Sequence, residues 1–187
     1  MLSLSETDRR AALRLARTAV VEAVSHRQLP DVFPREGIFA ERCGVFVTLH
    51  VRDRLQGCMG VIEANEPLGE AIVRCAASAA LEDPRFAPMK AEQLGELSIE
   101  ISLLSALEPI APESIEIGHH GLFVRLHAQR GLLLPQVAIE HRLTREQFLE
   151  ETCRKAGLRR EAWNDSEACL FGFTCEVFSE SLYREGA

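Results

Sequence analysis

The chain has 187 residues, of which 47% are hydrophobic and 26% are charged. This composition is ordinary for one globular domain, of one or two lobes, and excludes a disordered chain. The formal net charge of -7 argues against a duplex-binding protein, so nucleic acid is not an expected partner. No apolar run reaches the roughly 18 residues that a membrane-spanning helix needs, so no membrane insertion is expected.

The N-terminal segment and the cysteines together indicate a cytoplasmic location. Arg9, Arg10 and Arg14 interrupt any apolar stretch of the kind that a secretory signal requires. Six cysteines could form disulfides, but a full-size core without a signal favours reduced thiols in the cytoplasm. No two cysteines have the Cys-x-x-Cys spacing of zinc ribbons or thioredoxin-like proteins, so no metal site and no cofactor are predicted. The six are Cys43, Cys58, Cys75, Cys153, Cys169 and Cys175.

The first part of the chain predicts a helix followed by a β-hairpin. A serine cap before a repeating apolar face predicts a helix over residues 6–28, and two prolines predict a loop over residues 29–37. β-Branched and aromatic residues then predict strands at 44–51 and 55–62. The three polar residues 52–54 are the predicted turn of this hairpin.

A second helix and a third strand are predicted next. Apolar residues recur at helical spacing from Leu68 to Ala79. The tetrapeptide Asp83-Pro84-Arg85-Phe86 predicts a rigid turn after this helix, since a proline disfavours helix at the residue before it. Residues 97–104 alternate between apolar and polar side chains, and this alternation predicts a half-buried strand.

Two adjacent histidines lie between the next two predicted strands, at 114–117 and 121–127. His119 and His120 could bind a metal, but the glycines on both sides of them favour a turn.

The C-terminal part predicts a capped helix and a last strand. The helix extends from Thr144 to Ala156, with Gly157 in the position of a C-terminal glycine cap. Residues 169–178 alternate again and predict a final strand of the same sheet. Helices and strands mixed without a strict βαβ order predict an α+β fold with a largely antiparallel sheet.

A Gln-Gly-Cys-Met-Gly segment in the second predicted strand is the main candidate site. Gly57 and Gly60 could leave the Cys58 thiol accessible and could contact a substrate. The predicted hairpin pairs Thr48 with Cys58 and puts His50 on the same face, where an imidazole could generate a thiolate nucleophile. The alternative is a thiol packed under a helix, as free cysteines commonly are.

Two charged residues are further candidates. Glu100, on the polar side of its strand, could act as a general base or position a substrate, and the alternative is a solvated surface residue. Arg85 could bind an anionic group of a substrate or only stabilise its own turn. Four other cysteines have apolar neighbours on the same face and are predicted to lie in the core: Cys75, Cys153, Cys169 and Cys175.

The Gln-Gly-Cys-Met-Gly segment resembles the Arg-Gly-Cys-Ile-Gly signature of the AMMECR domain. The chain is similar to the prokaryotic members called AmmeMemoRadiSam system protein A, although Gln56 stands where the family usually has arginine, and Met59 where it has isoleucine. The resemblance spans roughly residues 37–178. Its other segments are Pro67-Leu68, Asp83–Phe86, Ile99–Ser102, Gly131–Val137 and Thr152–Leu158.

The resemblance implies a single AMMECR-like domain over residues 1–187, in which helices flank an antiparallel sheet and a smaller second lobe is present. It also implies two partners, a Memo-like protein related to extradiol dioxygenases and a radical SAM protein. Two hypotheses follow for the function. The chain is an enzyme or enzyme component that binds a small molecule, nucleotide-like compound or modified peptide in a cleft at Cys58 near Glu100, or it is a non-catalytic adaptor for those partners.

Overall fold

In the computed structural model, which describes residues 4–30, 34–63 and 65–183, the chain forms two units with one four-stranded sheet in each. One unit extends to Leu104 and resumes at Glu176, and the other comprises Ser105–Cys175. The predicted α+β class is confirmed, but the single predicted sheet is in fact two sheets. Residues 31–33 of the predicted loop, and residues 1–3, 64 and 184–187 of the predicted domain, lie outside the described residues.

The elements are numbered in chain order. The helices are α1 (Glu6–His26), α2 (Leu68–Leu81), α3 (Pro135–Glu140) and α4 (Arg145–Lys155). The strands are β1 (Val45–Val51), β2 (Arg54–Val61), β3 (Leu97–Leu104), β4 (Glu108–Pro109), β5 (Gly121–Leu126), β6 (Gln129–Leu133), β7 (Cys169–Phe173) and β8 (Cys175–Ser179).

The first sheet has the strand order β2-β1-β3-β8, and β1 is antiparallel to both of its neighbours. One face of the sheet is apolar and is buried with α1 and α2 in a single core, to which Val47, Leu49, Ile99 and Ile101 contribute. The small side chains on both helices let them pack closely against each other and against the sheet. The other face therefore carries the polar side chains of the strands.

The hairpin between β1 and β2 differs from its prediction in the turn and in the pairs next to it, because Val51 pairs with Arg54 and not with Leu55. The turn has two residues, Arg52 and Asp53, both in the left-handed backbone region with φ of 50° and 61°. A β-bulge then leaves Gln56 without a partner in the ladder. One residue fewer in the turn and one extra in the bulge cancel, so the predicted pairing of Thr48 with Cys58 is confirmed.

The second sheet has the order β4-β7-β5-β6, and the side chains of Phe148 and Leu149 from α4 are buried in a core beside it. The predicted strand at 114–117 is wrong. Pro112–Ser114 is a 3-10 turn instead, and the amide groups of His119 and His120 both donate to the Glu116 carbonyl. The two histidines therefore lie in a turn, as the flanking glycines predict.

The predicted strand at 169–178 is also wrong as one element, because it is β7 of the second sheet followed by β8 of the first. The break is at Thr174, whose amide donates to Ser105 Oγ at 3.0 Å and whose carbonyl accepts from Ser105 N at 2.9 Å. The alternation of side chains continues through this break, so it does not reveal the change of sheet. Cys169 and Cys175, predicted in the core on one face, are half-buried and lie in different sheets.

Candidate functional site

Cys58 and Glu100, the two predicted catalytic residues, lie in one row across the polar face of the first sheet. In the strand register, Thr48 on the middle strand faces Cys58 on one side and Glu100 on the other. Neighbouring strands are about 4.8 Å apart, so the backbones of Cys58 and Glu100 are separated by about 10 Å. All three side chains are half-buried. A ligand lying across this row would contact a thiol, a hydroxyl and a carboxylate.

Thr48 contacts the thiol directly. Its Oγ1 lies 3.3 Å from Cys58 Sγ, and the hydroxyl donates to the sulfur. The Cys58 amide donates to Asp83 and not to β1, so Thr48 and Cys58 form a non-hydrogen-bonded pair. In antiparallel sheets this is the pair type in which the side chains are closer together. A hydroxyl donor at this distance restricts the position of the sulfur. Thr48 is a site residue that the sequence does not single out, although its predicted pairing with Cys58 is a signal that points to it.

His50 borders the row on the same face. It lies two residues beyond Thr48 on β1 and faces Ser98 on β3. Because Thr48 pairs with Cys58, His50 is diagonal to Cys58 as the sequence predicts, although the bulge makes Leu55 and not Gln56 its partner on β2. His50 therefore lies beside the row, on the same face of the sheet.

Asp83 and Arg85 hold the backbone of Cys58 from the outer edge of β2. The Asp83 side chain is 2% exposed. Its carboxylate accepts from Cys58 N at 2.9 Å and from Arg85 Nη2 at 2.7 Å, with further bonds from Arg85 N and Nε. The Arg85 guanidinium, followed by the Cys58 amide, holds the pKa of Asp83 well below its usual range despite burial. Arg85 also lies above the Phe86 ring and remains half exposed.

The two glycines beside Cys58 serve close packing. A Cβ on Gly57 would lie 2.0 Å from the carbonyl oxygen of Ala79 in α2, so Gly57 lies on the face opposite Cys58. A Cβ on Gly60 would lie 2.3 Å from the ring of Phe46, which covers that part of the strand. Close packing therefore explains both glycines, and their effect on access to the thiol stays a prediction.

Gln56, the departure from the signature that this segment resembles, makes neutral contacts. Its Nε2 donates to the carbonyl of Ala87 at 3.0 Å, and its Oε1 accepts from Gln93. Nearby Arg52 is paired with Glu96, with 2.7 Å between Nη2 and Oε1. Arg52 therefore does not supply an uncommitted charge in place of the missing arginine.

The remaining predictions concern thiols, metals and clefts. Cys75 and Cys153 are buried in apolar cores as predicted, and burial raises the pKa of both, that of Cys75 to about 11. Within residues 4–30, 34–63 and 65–183, no cluster of three or more His, Cys, Asp or Glu side chains is arranged to hold a metal ion. In the same ranges, neither Cys58 nor Glu100 lines any of four surface grooves, two of them in the first unit and two in the second.

No helix in the described part of the chain combines the length and the apolar character needed to cross a membrane.

The chain is similar to proteins of one family over almost its whole length. Residues 13–178 match the AMMECR1 family, starting within α1 and thus earlier than the motifs indicate. A protein from Methanothermobacter thermautotrophicus is 40% identical over 187 residues, covering 95% of this chain and 96% of that one. Protein Ta0236 from Thermoplasma acidophilum is 40% identical over 177 residues, covering 90% and 85%. The crystal structure of uncharacterized protein PH0010 from Pyrococcus horikoshii has 37% identity and a TM-score of 0.82, covering 90% and 89%.

Proposed function

Because the chain belongs to the AMMECR1 family, we propose that it binds a small molecule, nucleotide-like compound or modified peptide over the row formed by Cys58, Thr48 and Glu100. The Cys58 thiol is the group that reacts with this ligand. The chain works in the cytoplasm as one component of a system with a Memo-like protein and a radical SAM protein, the partners that the family resemblance implies.

The observation that carries this proposal is the immobilisation of Cys58 from two sides. Asp83 fixes its backbone amide, and Thr48 fixes its sulfur. The Asp83–Arg85 turn also covers the open edge of β2, which protects a sheet against pairing with another chain. Edge protection does not require a hydroxyl donor on the thiol or a carboxylate in the same row, and those two features favour chemistry at Cys58.

The roles of the residues follow from their positions. Thr48 lies between Cys58 and Glu100, so Glu100 is placed to contact the bound ligand rather than the sulfur itself. In a group transfer, Sγ would form a bond to an electrophilic carbon of the ligand as a leaving group departs, and the thiol proton would pass to His50 or to solvent. Glu100 would position the ligand and accept a proton from it.

A non-catalytic adaptor is the second candidate, and one observation favours it. Among the described residues, Cys58 and Glu100 lie on a half-buried strand face outside the four grooves, whereas enzyme sites are usually concave. An adaptor would present this face to a partner protein and would not need a reactive sulfur.

Timed alkylation with iodoacetamide, read by peptide mass, separates the two candidates. Cys169 and Cys175 are half-buried like Cys58 and serve as internal standards. We expect Cys58 to react fastest of the three at pH 7. Replacing the donor by Thr48→Val should slow Cys58 about fivefold, the effect of losing one ordinary hydrogen bond, and leave the two standards unchanged.

Equal rates for Cys58 and the two standards would favour the adaptor. If Cys58 reacts fastest, a Cys58→Ser variant should bind both partner proteins normally and lose the activity of the assembled system. Full activity of that variant would reject the thiol chemistry while keeping the partners.

A further inference from the structure

Two sequence motifs that the proposed function does not use line the same groove in the second unit. The groove has a volume of about 690 Å³. Leu133 and Val137 come from the Gly131–Val137 segment, and Arg154 and Lys155 come from the Thr152–Leu158 segment. A volume of several hundred Å³ is typical of sites for small organic ligands.

The walls of this groove are held together by backbone contact. A Cβ on Gly131 of β6 would lie 2.4 Å from the backbone nitrogen of Ala156, directly after α4. The side chain of Gln129 donates to the carbonyl of Gly157 at 2.8 Å, next to the same contact. The strand and the end of the helix therefore keep a fixed separation, and the groove between them is preformed.

The groove has both aliphatic and charged residues in its lining. Leu133, Val137 and Leu143 supply half-buried aliphatic side chains. The charged lining residues come from α4, where Glu151 is already paired with Arg154, with 2.7 Å between its Oε2 and the arginine Nε.

Lys155 leaves the charged part of the lining with a net positive charge. Within the part of the chain that the structure describes, no ion-pair partner of Lys155 is found, and this exposed lysine lines a groove in a protein of net charge -7. A lysine in the last turn of a helix also stabilises the helix dipole. The dipole role does not require aliphatic residues in the same groove, whereas binding of an amphiphilic anion uses both the ammonium and the aliphatic lining.

We propose that this groove binds a small organic acid, a carboxylate joined to an unbranched apolar chain. The carboxylate pairs with Lys155, and the chain lies on Leu133, Val137 and Leu143. His141 also lines the groove. This site is separate from Cys58 and does not depend on the proposed function.

The chain allows a direct test because it has only two lysines, Lys90 and Lys155. Reductive methylation with ¹³C-formaldehyde keeps the charge and gives one NMR signal for each lysine, assigned with Lys90→Met and Lys155→Met. Titration with octanoate should shift the Lys155 signal saturably and leave the Lys90 signal in place. Acetate has the charge without the chain and octanol has the chain without the charge, so each should bind at least about tenfold more weakly.

The variants make the outcome decisive. Lys155→Met should weaken octanoate binding about tenfold or more, measured by titration calorimetry on unmodified protein, while Lys155→Arg and the control Lys90→Met should retain it. Val137→Ser should weaken octanoate without changing the response to acetate. The proposal is overturned if Lys90 shifts as much as Lys155, if octanol binds as well as octanoate, or if a folded Lys155→Met variant binds unchanged.

Discussion

Among single residues, Asp83 has the strongest influence on the geometry around Cys58. Its carboxylate is almost fully buried and is satisfied by the Arg85 side chain and two backbone amides. These partners lower its pKa in the folded state. A carboxylate with a lowered folded pKa stabilises the protein above its unfolded pKa of about 3.9, and this stabilisation disappears as the pH falls through the folded value.

Asp83→Asn should therefore destabilise the protein by about 2 kcal/mol at pH 7, since it removes the charge from a buried ion pair whose partner is half exposed. The difference from the wild type should be constant from pH 7 to about pH 5 and should shrink below about pH 4. Urea unfolding at several pH values measures both effects.

Asp53→Asn is the matched control for this pH dependence. Asp53 is exposed in the hairpin turn, and asparagine tolerates its left-handed backbone well. We expect its free energy of unfolding to stay within about 0.5 kcal/mol of the wild type. If Asp83→Asn lowers the free energy of unfolding by a constant amount down to pH 3, the shape of the Asp83 side chain, and not its charge, stabilises the protein.

At the scale of elements, the contact between β2 and α2 determines where the Cys58 strand lies. Gly57 is the point of closest approach, because its missing side chain leaves room for the Ala79 carbonyl. The strand can lie directly against the helix backbone only with glycine at this position.

Gly57→Ala should cost about 3 kcal/mol, because backbone atoms on both sides must move apart. Gly95→Ala is the control, since a Cβ there would meet no atom within 4 Å. Thermal unfolding measures both variants. If Gly57→Ala is as stable as Gly95→Ala, the distance between β2 and α2 is adjustable and does not constrain Cys58.

The sequence predicts most elements well, because their signals are local. The capping box of Ser5 and Asp8 and the alternation in residues 97–104 depend only on neighbours along the chain. The change of sheet at Thr174 depends on Ser105, which is far away in sequence, and no local pattern shows it. For the candidate site, the predicted hairpin places Cys58 opposite Thr48, as the structure has it. The contact from Asp83 arises only when the turn after α2 returns to the edge of β2, and no local pattern shows it.

At the scale of the whole molecule, the thiols are distributed over both units and differ in burial. Cys43 and Cys75 belong to the core of the first sheet with α1 and α2, and Cys153 belongs to a core of the second unit. Burial raises the pKa of Cys43 and Cys75 to about 11. The thiols of Cys43 and Cys75 therefore react only after the first unit unfolds around them.

Pulsed alkylation across a urea series should give Cys43 and Cys75 the same midpoint, because one cooperative core covers both. The midpoint of Cys153, measured in the same samples, reports the unfolding of the second unit. Separate midpoints for Cys43 and Cys75 would contradict the assignment of both to one cooperative core.

The bulge at Gln56 affects how homologous chains of different length should be aligned. A relative with one residue fewer between the equivalents of Thr48 and Cys58 can keep both in register by lacking the bulge and retaining the two-residue turn. Its gap then belongs opposite Gln56. If the gap is placed in the turn instead, the relative's equivalent of Leu55, which pairs across the sheet with the equivalent of His50, is aligned with Gln56. Gln56 has no partner in the ladder, so that alignment would be wrong.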